Sequence, residues 1–259
     1  MKFCALSLFL AFSVQLLFCG CLGGNSSAEN SKSAEASEQK PFDLRVGAGF
    51  ENPIGYSLED LSLSWKIPAR RGAAQSAYRV QVFKDSKIVA DTQKILSNKS
   101  VRAENPLGKI GSRERFTWRV KIWDERGAES PWSDFASFEA GLLDNSEWLG
   151  KWITTPKDTR ILYEYKRIRP NYDGKRRGVP PVYLRKSFDA RNPKSARLYV
   201  ASKGIFQIYI NGEKVGRDFW GTGWTDYRKR IQTNTYDVSA LVKSGKNALS
   251  AIVADGWYS

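Results

Sequence analysis

The 259-residue chain contains no histidine. Every mechanism that depends on imidazole is therefore excluded: Ser-His-Asp hydrolysis, Cys-His proteolysis and His-ligated zinc. Cysteine is nearly as scarce. Its three copies, Cys4, Cys19 and Cys21, all lie at the extreme N-terminus. No disulfide framework or cysteine zinc site is left for the body of the chain. Long apolar runs are also missing. The run from 3 to 18 is broken by Ser7, Ser13 and Gln15, and a spanning helix needs about twenty apolar residues.

Aromatic residues and positive charge are plentiful. There are nine Trp, eleven Tyr and thirteen Phe. Trp and Tyr combine an apolar body with a polar tip, which suits sandwich cores and sugar-binding faces alike. The formal net charge is +14, a value that invites a nucleic-acid reading. Against it, the basic residues are scattered. Their densest stretch, 157–191, reads as a solvated basic insertion, so no nucleic-acid partner is expected.

The N-terminus reads as an export signal. Lys2 is a minimal positive region, and residues 3–18 form the apolar segment that follows it. Gly20 directly precedes Cys21, with Leu17 and Phe18 upstream. This resembles a bacterial lipobox, in which a peptidase cuts before a cysteine that then carries a lipid. Cys21 is the expected lipidation site; the alternative is a plain secretory signal over 1–20 with incidental cysteines. Residues 21–41 are rich in Ser, Ala, Glu and Asn and hold few large apolar residues. Such a segment cannot bury a core and reads as a disordered tether. An anchored head, a tether and a folded body are the layout of an exported, membrane-anchored lipoprotein.

Residues 42–143 form the first expected domain. "LSLSW" (61–65), "AYRVQVF" (77–83) and "RFTWRVKIW" (115–123) alternate apolar and polar residues, and "DFASFEA" (134–140) holds a last short strand with Phe135 and Phe138. Trp65, Tyr78 and Trp118 are the expected core aromatics. No segment here has a long helical period. Period-two strands punctuated by Pro and Gly predict a β-sandwich. "TWRVKIWDERGAESPWSDFASFEAGLL" resembles the last two strands of a fibronectin type III domain, including its Ser-x-Trp-Ser segment.

Residues 144–259 form the second. Strands are expected at 182–188, 196–200, 204–210 and 248–254, with Asn211-Gly212 as a hairpin turn. The pattern is again all-β, and a jelly-roll sandwich is the expected form. "RLYVASKGIFQIYINGEKVG", "GWTDYRKRIQTNTYDVSALVKSGKNALSAIVADGWYS" and "PWSDFASFEAGLLDNSEWLGKWI" together resemble the N-terminal region of bacterial α-L-rhamnosidases of glycoside hydrolase family 78.

That resemblance carries several expectations. The region is non-catalytic in the family, and a later (α/α)₆ barrel holds the inverting carboxylate pair. The second domain here ends early and should expose a sheet edge. No catalytic residue is expected in this chain. The resemblance implies a part in binding rhamnose-containing oligo- or polysaccharides, with a calcium ion assisting in some members and no other cofactor. Stacking aromatics and directional polar groups suit such a ligand. The candidate contacts are Asn211, Asp218, Trp220, Trp224, Asp226, Tyr227 and Trp257. Each has a plainer alternative. Asn211 is a turn residue, Trp224 and Tyr227 are sandwich core, and Asp226 serves only nearby backbone N–H groups. Two other functions stand beside this one: a stand-alone lipoprotein that binds glycans without cleaving them, and a polyanion-binding surface protein.

Overall fold

The computed structural model of the protein describes residues 4–11, 40–57, 59–68, 72–154 and 181–257. Cys19, Cys21, the tether to residue 39 and the basic stretch from 155 to 180 lie outside the described residues. The chain divides into two compact units at the Glu147–Trp148 junction, with the N-terminal strand grouped with the second unit. Among the described residues the regular structure is strand, apart from one short 3-10 turn, Asn145–Glu147.

The first unit holds β2 (Phe42–Val46), β3 (Leu63–Lys66), β4 (Gln75–Lys84), β5 (Lys87–Asp91), β6 (Ile95–Leu96), β7 (Arg115–Asp124) and β8 (Ala136–Glu139). One sheet runs β5-β4-β7-β8, with β6 also on β4; β2 and β3 pair separately. The alternation in the sequence decides which side chains go inward. Tyr78, Val80 and Val82 of β4 lie opposite Ile122, Val120 and Trp118 of β7. All six are buried, as are Leu63 and Trp65 of β3. Trp65 meets Tyr78 edge to face at 5.2 Å, and Phe116 stacks on Phe138 at 5.3 Å. The Trp65 indole N–H would be an unmet donor in this core. It donates to Gln75 Oε1 at 2.9 Å, and Gln75 Nε2 donates in turn to the Ser97 and Lys99 carbonyls.

Phe135 departs from expectation. It precedes β8 and is exposed, whereas Phe138 is buried. Three residues apart, the two cannot share one face of a strand. Phe135 instead joins a ladder on the outer face of β4 and β7. The Arg119 guanidinium lies 4.4 Å from the Trp132 ring, 5.2 Å from Phe83 and 5.4 Å from Phe135. Lys121 lies 4.8 Å from Trp132 and 5.4 Å from Trp123. Each such contact brings a cation to the negative face of a ring. The Ser-x-Trp-Ser segment holds Trp132 there from both sides. Ser130 Oγ accepts the Ile122 N–H and Ser133 Oγ accepts the Val120 N–H, both at 3.0 Å. These bonds satisfy edge groups of β7 that β8 does not reach.

The second unit contains β1 (Cys4–Ala11), β9 (Val182–Ala190), β10 (Ser195–Ser202), β11 (Ile205–Ile210), β12 (Glu213–Lys214), β13 (Thr233–Asp237) and β14 (Gly245–Ala254). They form two sheets, β1-β10-β13 and β12-β11-β14-β9. Leu198 and Val200 of the first meet Phe206, Ile208 and Ile210 of β11 and Leu249, Ala251 and Val253 of β14 in one buried cluster. This is the packing expected of two apolar sheet faces. The apolar stretch read as part of an export signal supplies β1, paired antiparallel to β10 from Cys4 opposite Ser202 to Ala11 opposite Ser195.

Asp91 at the end of β5 accepts four hydrogen bonds. Arg79 donates to its two oxygens at 2.8 and 2.7 Å, Gln81 Nε2 adds a bond at 2.9 Å, and the Gln93 N–H adds another at 2.9 Å. The Arg79 hydrogen bond is the main cause that holds this carboxyl well below the usual carboxylate range. A depressed folded value stabilises the fold above the unfolded value of about 3.9 and loses that effect as pH falls through the folded one. Asp91→Asn should therefore cost about 1.5–3 kcal/mol at neutral pH. Its deficit relative to the parent should shrink below about pH 4. Urea unfolding of both proteins at neutral and acid pH checks this; a deficit that stays constant across the range refutes it.

Candidate functional site

Trp220, Trp224, Tyr227 and Trp257 lie on segments held at one end of β11, Asp218 bonds to Tyr236 of β13, and Asn211 lies elsewhere. The long connection from β12 to β13, residues 215–232, folds over the β10–β11 turn, and the chain leaving β14 packs beside it. Gly204 forms the pivot. Its φ is +93°, and a Cβ here would lie 2.2 Å from the Ala254 carbonyl oxygen and 2.7 Å from that of Asp255. Only glycine allows the β14 exit to approach this closely. The Gly204 N–H donates to the Tyr227 hydroxyl at 3.1 Å, and its carbonyl accepts the Thr222 hydroxyl at 2.8 Å. Gly221 sits flat against the Phe206 ring, where a Cβ would be 2.5 Å from Cζ, and donates its N–H to the Phe206 carbonyl at 3.1 Å.

The remainder of the connection is tied internally. Gly223 N–H donates to Gln232 Oε1 at 3.1 Å, and Thr225 Oγ1 donates to the Arg230 carbonyl at 3.0 Å. The Asp226 carbonyl accepts the N–H groups of Lys229 and Arg230. The large aromatics on this frame point outward. Phe219 is 80 % exposed, Trp220 65 %, Trp224 69 % and Trp257, next to the pivot, 53 %. Trp224 is therefore not sandwich core. Tyr227 is half-buried, and its hydroxyl belongs to the pivot.

The two aspartates have local partners. Asp226 accepts Arg228 Nε at 3.0 Å and the Arg228 N–H at 3.1 Å, and the Arg228 side chain holds the carboxyl below its usual range. Asp218 Oδ2 accepts the Tyr236 hydroxyl at 2.9 Å. Burial, followed by that carboxylate, pushes the Tyr236 phenol above its usual value. Calcium requires six to eight oxygens, roughly. Among the described residues no three His, Cys, Asp or Glu side chains gather to hold a metal ion. Among the described residues, then, no carboxylate cluster is present for the calcium ion that the sequence resemblance suggested.

Asn211 lies at the far end of β11 with φ +54°, and its side chain is bonded within the fold. Nδ2 donates to the Leu241 carbonyl at 2.9 Å and to Asn247 Oδ1 at 2.8 Å, while Oδ1 accepts the Ala248 N–H at 3.0 Å. Asn247, itself buried, fastens the 243–247 turn through Lys243 and Gly245. The sequence reading missed Phe219, Thr222 and Gly204. Phe219 adjoins a named candidate, whereas a threonine in the left-handed region leaves no signal in sequence.

An open hollow of about 510 Å³ lies on the first unit, among Glu59, Asp60, Glu104, Asn105, Leu107 and Lys109. It has no aromatic lining, and Asp60 is spent on Ser62 and Arg102. The aromatic corner offers the stacking surface that this hollow lacks.

The two classes of candidate should separate by stability. Asn211→Ala takes the partner from the part-buried Leu241 carbonyl and Ala248 N–H and should cost about 1–3 kcal/mol. Trp224→Ala removes an exposed ring and should stay within about 0.5 kcal/mol of the parent. Chemical denaturation decides, and the reverse order would contradict both assignments.

Residues 41–144 match the model of the Rha78A-like N-terminal immunoglobulin domain. Residues 191–259 match that of the α-L-rhamnosidase N-terminal domain. The first unit is thus described as immunoglobulin-like, a class that shares the two-sheet architecture of fibronectin type III. An α-L-rhamnosidase of Alteromonas sp. (strain LOR) is 40 % identical over 230 residues, 85 % of this chain and 24 % of that protein. One from Formosa agariphila is 36 % identical over 242 residues, 90 % of this chain and 25 % of the relative. The solved structure of α-L-rhamnosidase from Dictyoglumus thermophilum superposes with a TM-score of 0.75 at 32 % identity, covering 86 % of this chain and 26 % of that one. The chain thus spans about a quarter of the length of these relatives. Two matched domains in this order, with rhamnosidases as relatives in sequence and structure, place the chain with the N-terminal region of the α-L-rhamnosidase family.

Proposed function

We propose that these residues are the saccharide-recognition part of an exported α-L-rhamnosidase, with hydrolysis carried by sequence outside these 259 residues. The observation that carries this reading is the aromatic corner. Phe219, Trp220, Trp224 and Trp257 are exposed on a loop and a strand exit whose backbones are fastened to Gly204. Exposed aromatics grouped on an anchored frame are costly to leave in water, and their faces match the apolar faces of a pyranose. The corner belongs to the domain that matches the α-L-rhamnosidase N-terminal domain, and the relatives bear that enzyme's name. A rhamnose-containing oligo- or polysaccharide is accordingly the proposed partner.

Binding can be followed by tryptophan emission as the protein is titrated with methyl α-L-rhamnoside and with rhamnose oligosaccharides. The parent should show saturable quenching, and Trp220→Ala and Trp224→Ala should weaken it. Raising the salt should leave the affinity nearly unchanged, since stacking is not a counterion-release process. Binding that collapses with salt would favour the polyanion reading; no saturable response to either sugar would end the saccharide reading.

Export and anchoring rest on the N-terminal sequence: Lys2, the apolar run, and Gly20 before Cys21. The proposed mature protein begins at an acylated Cys21 and is held at a membrane surface by its lipid; cleavage there removes β1 and leaves β10 as the edge of its sheet. Intact mass of the protein recovered from a bacterial envelope should show a lipid-bearing N-terminus at residue 21. An N-terminus at Met1 would refute export by this signal.

A further inference from the structure

The aromatic corner is held by a strained residue. Thr222 has φ +63°, and a β-branched side chain in that region is a genuine outlier. Trp220, two residues earlier, has φ +58°, so two left-handed residues flank Gly221. Conformations of this kind persist only where the surroundings impose them, and they concentrate at ligand-binding positions. The constraint here is identifiable. Thr222 is 5 % exposed, and its hydroxyl donates to the Gly204 carbonyl at 2.8 Å, while Gly221 is pinned on Phe206. On the other side of Gly204 the N–H is taken by Tyr227.

The arrangement is an unusual way to use aromatic residues. A loop that served only to close the sandwich would turn its rings inward, where burial stabilises the fold. This loop buries the small Thr222 and Gly221 and leaves Phe219, Trp220 and Trp224 outside. Trp220 is itself one of the two left-handed residues, and the other, Thr222, is bonded through its hydroxyl to Gly204.

We propose that Thr222 is a positioning residue of the saccharide site: its hydroxyl, bonded to the Gly204 carbonyl, fixes the backbone that aims Trp220 at the ligand. This inference rests on the saccharide reading of the corner. Thr222 itself does not touch sugar, and its effect passes through Trp220. Stacking needs a ring held in a defined plane, so a loop free to reorient binds the same sugar less tightly.

The test uses the full 259-residue chain and methyl α-L-rhamnoside as the probe. Thr222→Val keeps the shape and the branch but removes the hydroxyl; Thr222→Ser keeps the hydroxyl and relieves the branch. Thr222→Val should bind the rhamnoside about tenfold more weakly, and acrylamide should quench its tryptophan emission more strongly. Thr222→Ser should bind within about threefold of the parent with an unchanged quenching profile. A folded Thr222→Val that binds like the parent overturns the positioning role and leaves the saccharide reading intact. A folded Thr222→Ser that loses binding overturns it too, because the hydroxyl is then not what matters. If the parent chain does not bind the rhamnoside at all, the saccharide reading fails and the positioning role falls with it.

Discussion

Both polar groups of the Gly204 backbone are claimed by side chains from the same loop. Tyr227 takes the amide and Thr222 the carbonyl. A turn between two strands normally leaves such groups to water. Here they fasten the 215–232 connection onto the sandwich, and the missing Cβ lets the β14 exit close against the same point. Three segments remote in sequence meet at one residue. The exposed rings are an outcome of that meeting, since each sits beside a backbone already held by hydrogen bonds or by close packing.

The opposite end of the same sandwich is governed by amide side chains. Asn211 and Asn247 bond to each other and to five backbone groups around two turns. Asn247 is buried and Asn211 half-buried, and a hydrogen-bonded network of this kind rigidifies the end it occupies. One end of the unit thus spends its polar groups on closure, while the other spends them on presentation. Asn211 and Trp220 both stood as ligand contacts on residue type alone, and the hydrogen bonds separate them. Both Asn211 amide hydrogens and one acceptor position of its oxygen are spent within the fold, whereas the Trp220 ring is exposed.

Much of the strand pattern was legible because alternation is a direct record of burial. β4 and β7 are plain in "AYRVQVF" and "RFTWRVKIW", and Asn211-Gly212 announces the β11–β12 turn. The β4–β5 hairpin escaped notice for a physical reason. It turns on Asp85 and Ser86, both left-handed at +49° and +66°, in place of the usual Asn-Gly. β5 itself is largely exposed and so carries no alternation. The N-terminal run is ambiguous in kind, since an unbroken apolar stretch reads equally as a signal segment and as a buried strand. At the candidate site the aromatics could be named, but not their orientation. Trp224 looked equally suited to core and surface, because tryptophan serves both. The exposure of its ring follows from bonds by Gly223, Thr225 and Gln232, none of which marks itself in sequence.

The pairing of β1 with β10 has a consequence for the order of events during synthesis. Ala11 lies opposite Ser195 and Cys4 opposite Ser202. The first strand leaves the ribosome at the very start, yet its partner does not exist until nearly two hundred residues have been joined. At about 5–20 residues per second, that interval lasts roughly ten to forty seconds. Closing so long a loop also adds entropy that local strand pairs do not face. Throughout that time the apolar segment is the oldest part of the chain and has no seat in the sheet. Any factor that recognises short apolar segments on nascent chains meets it before the fold does.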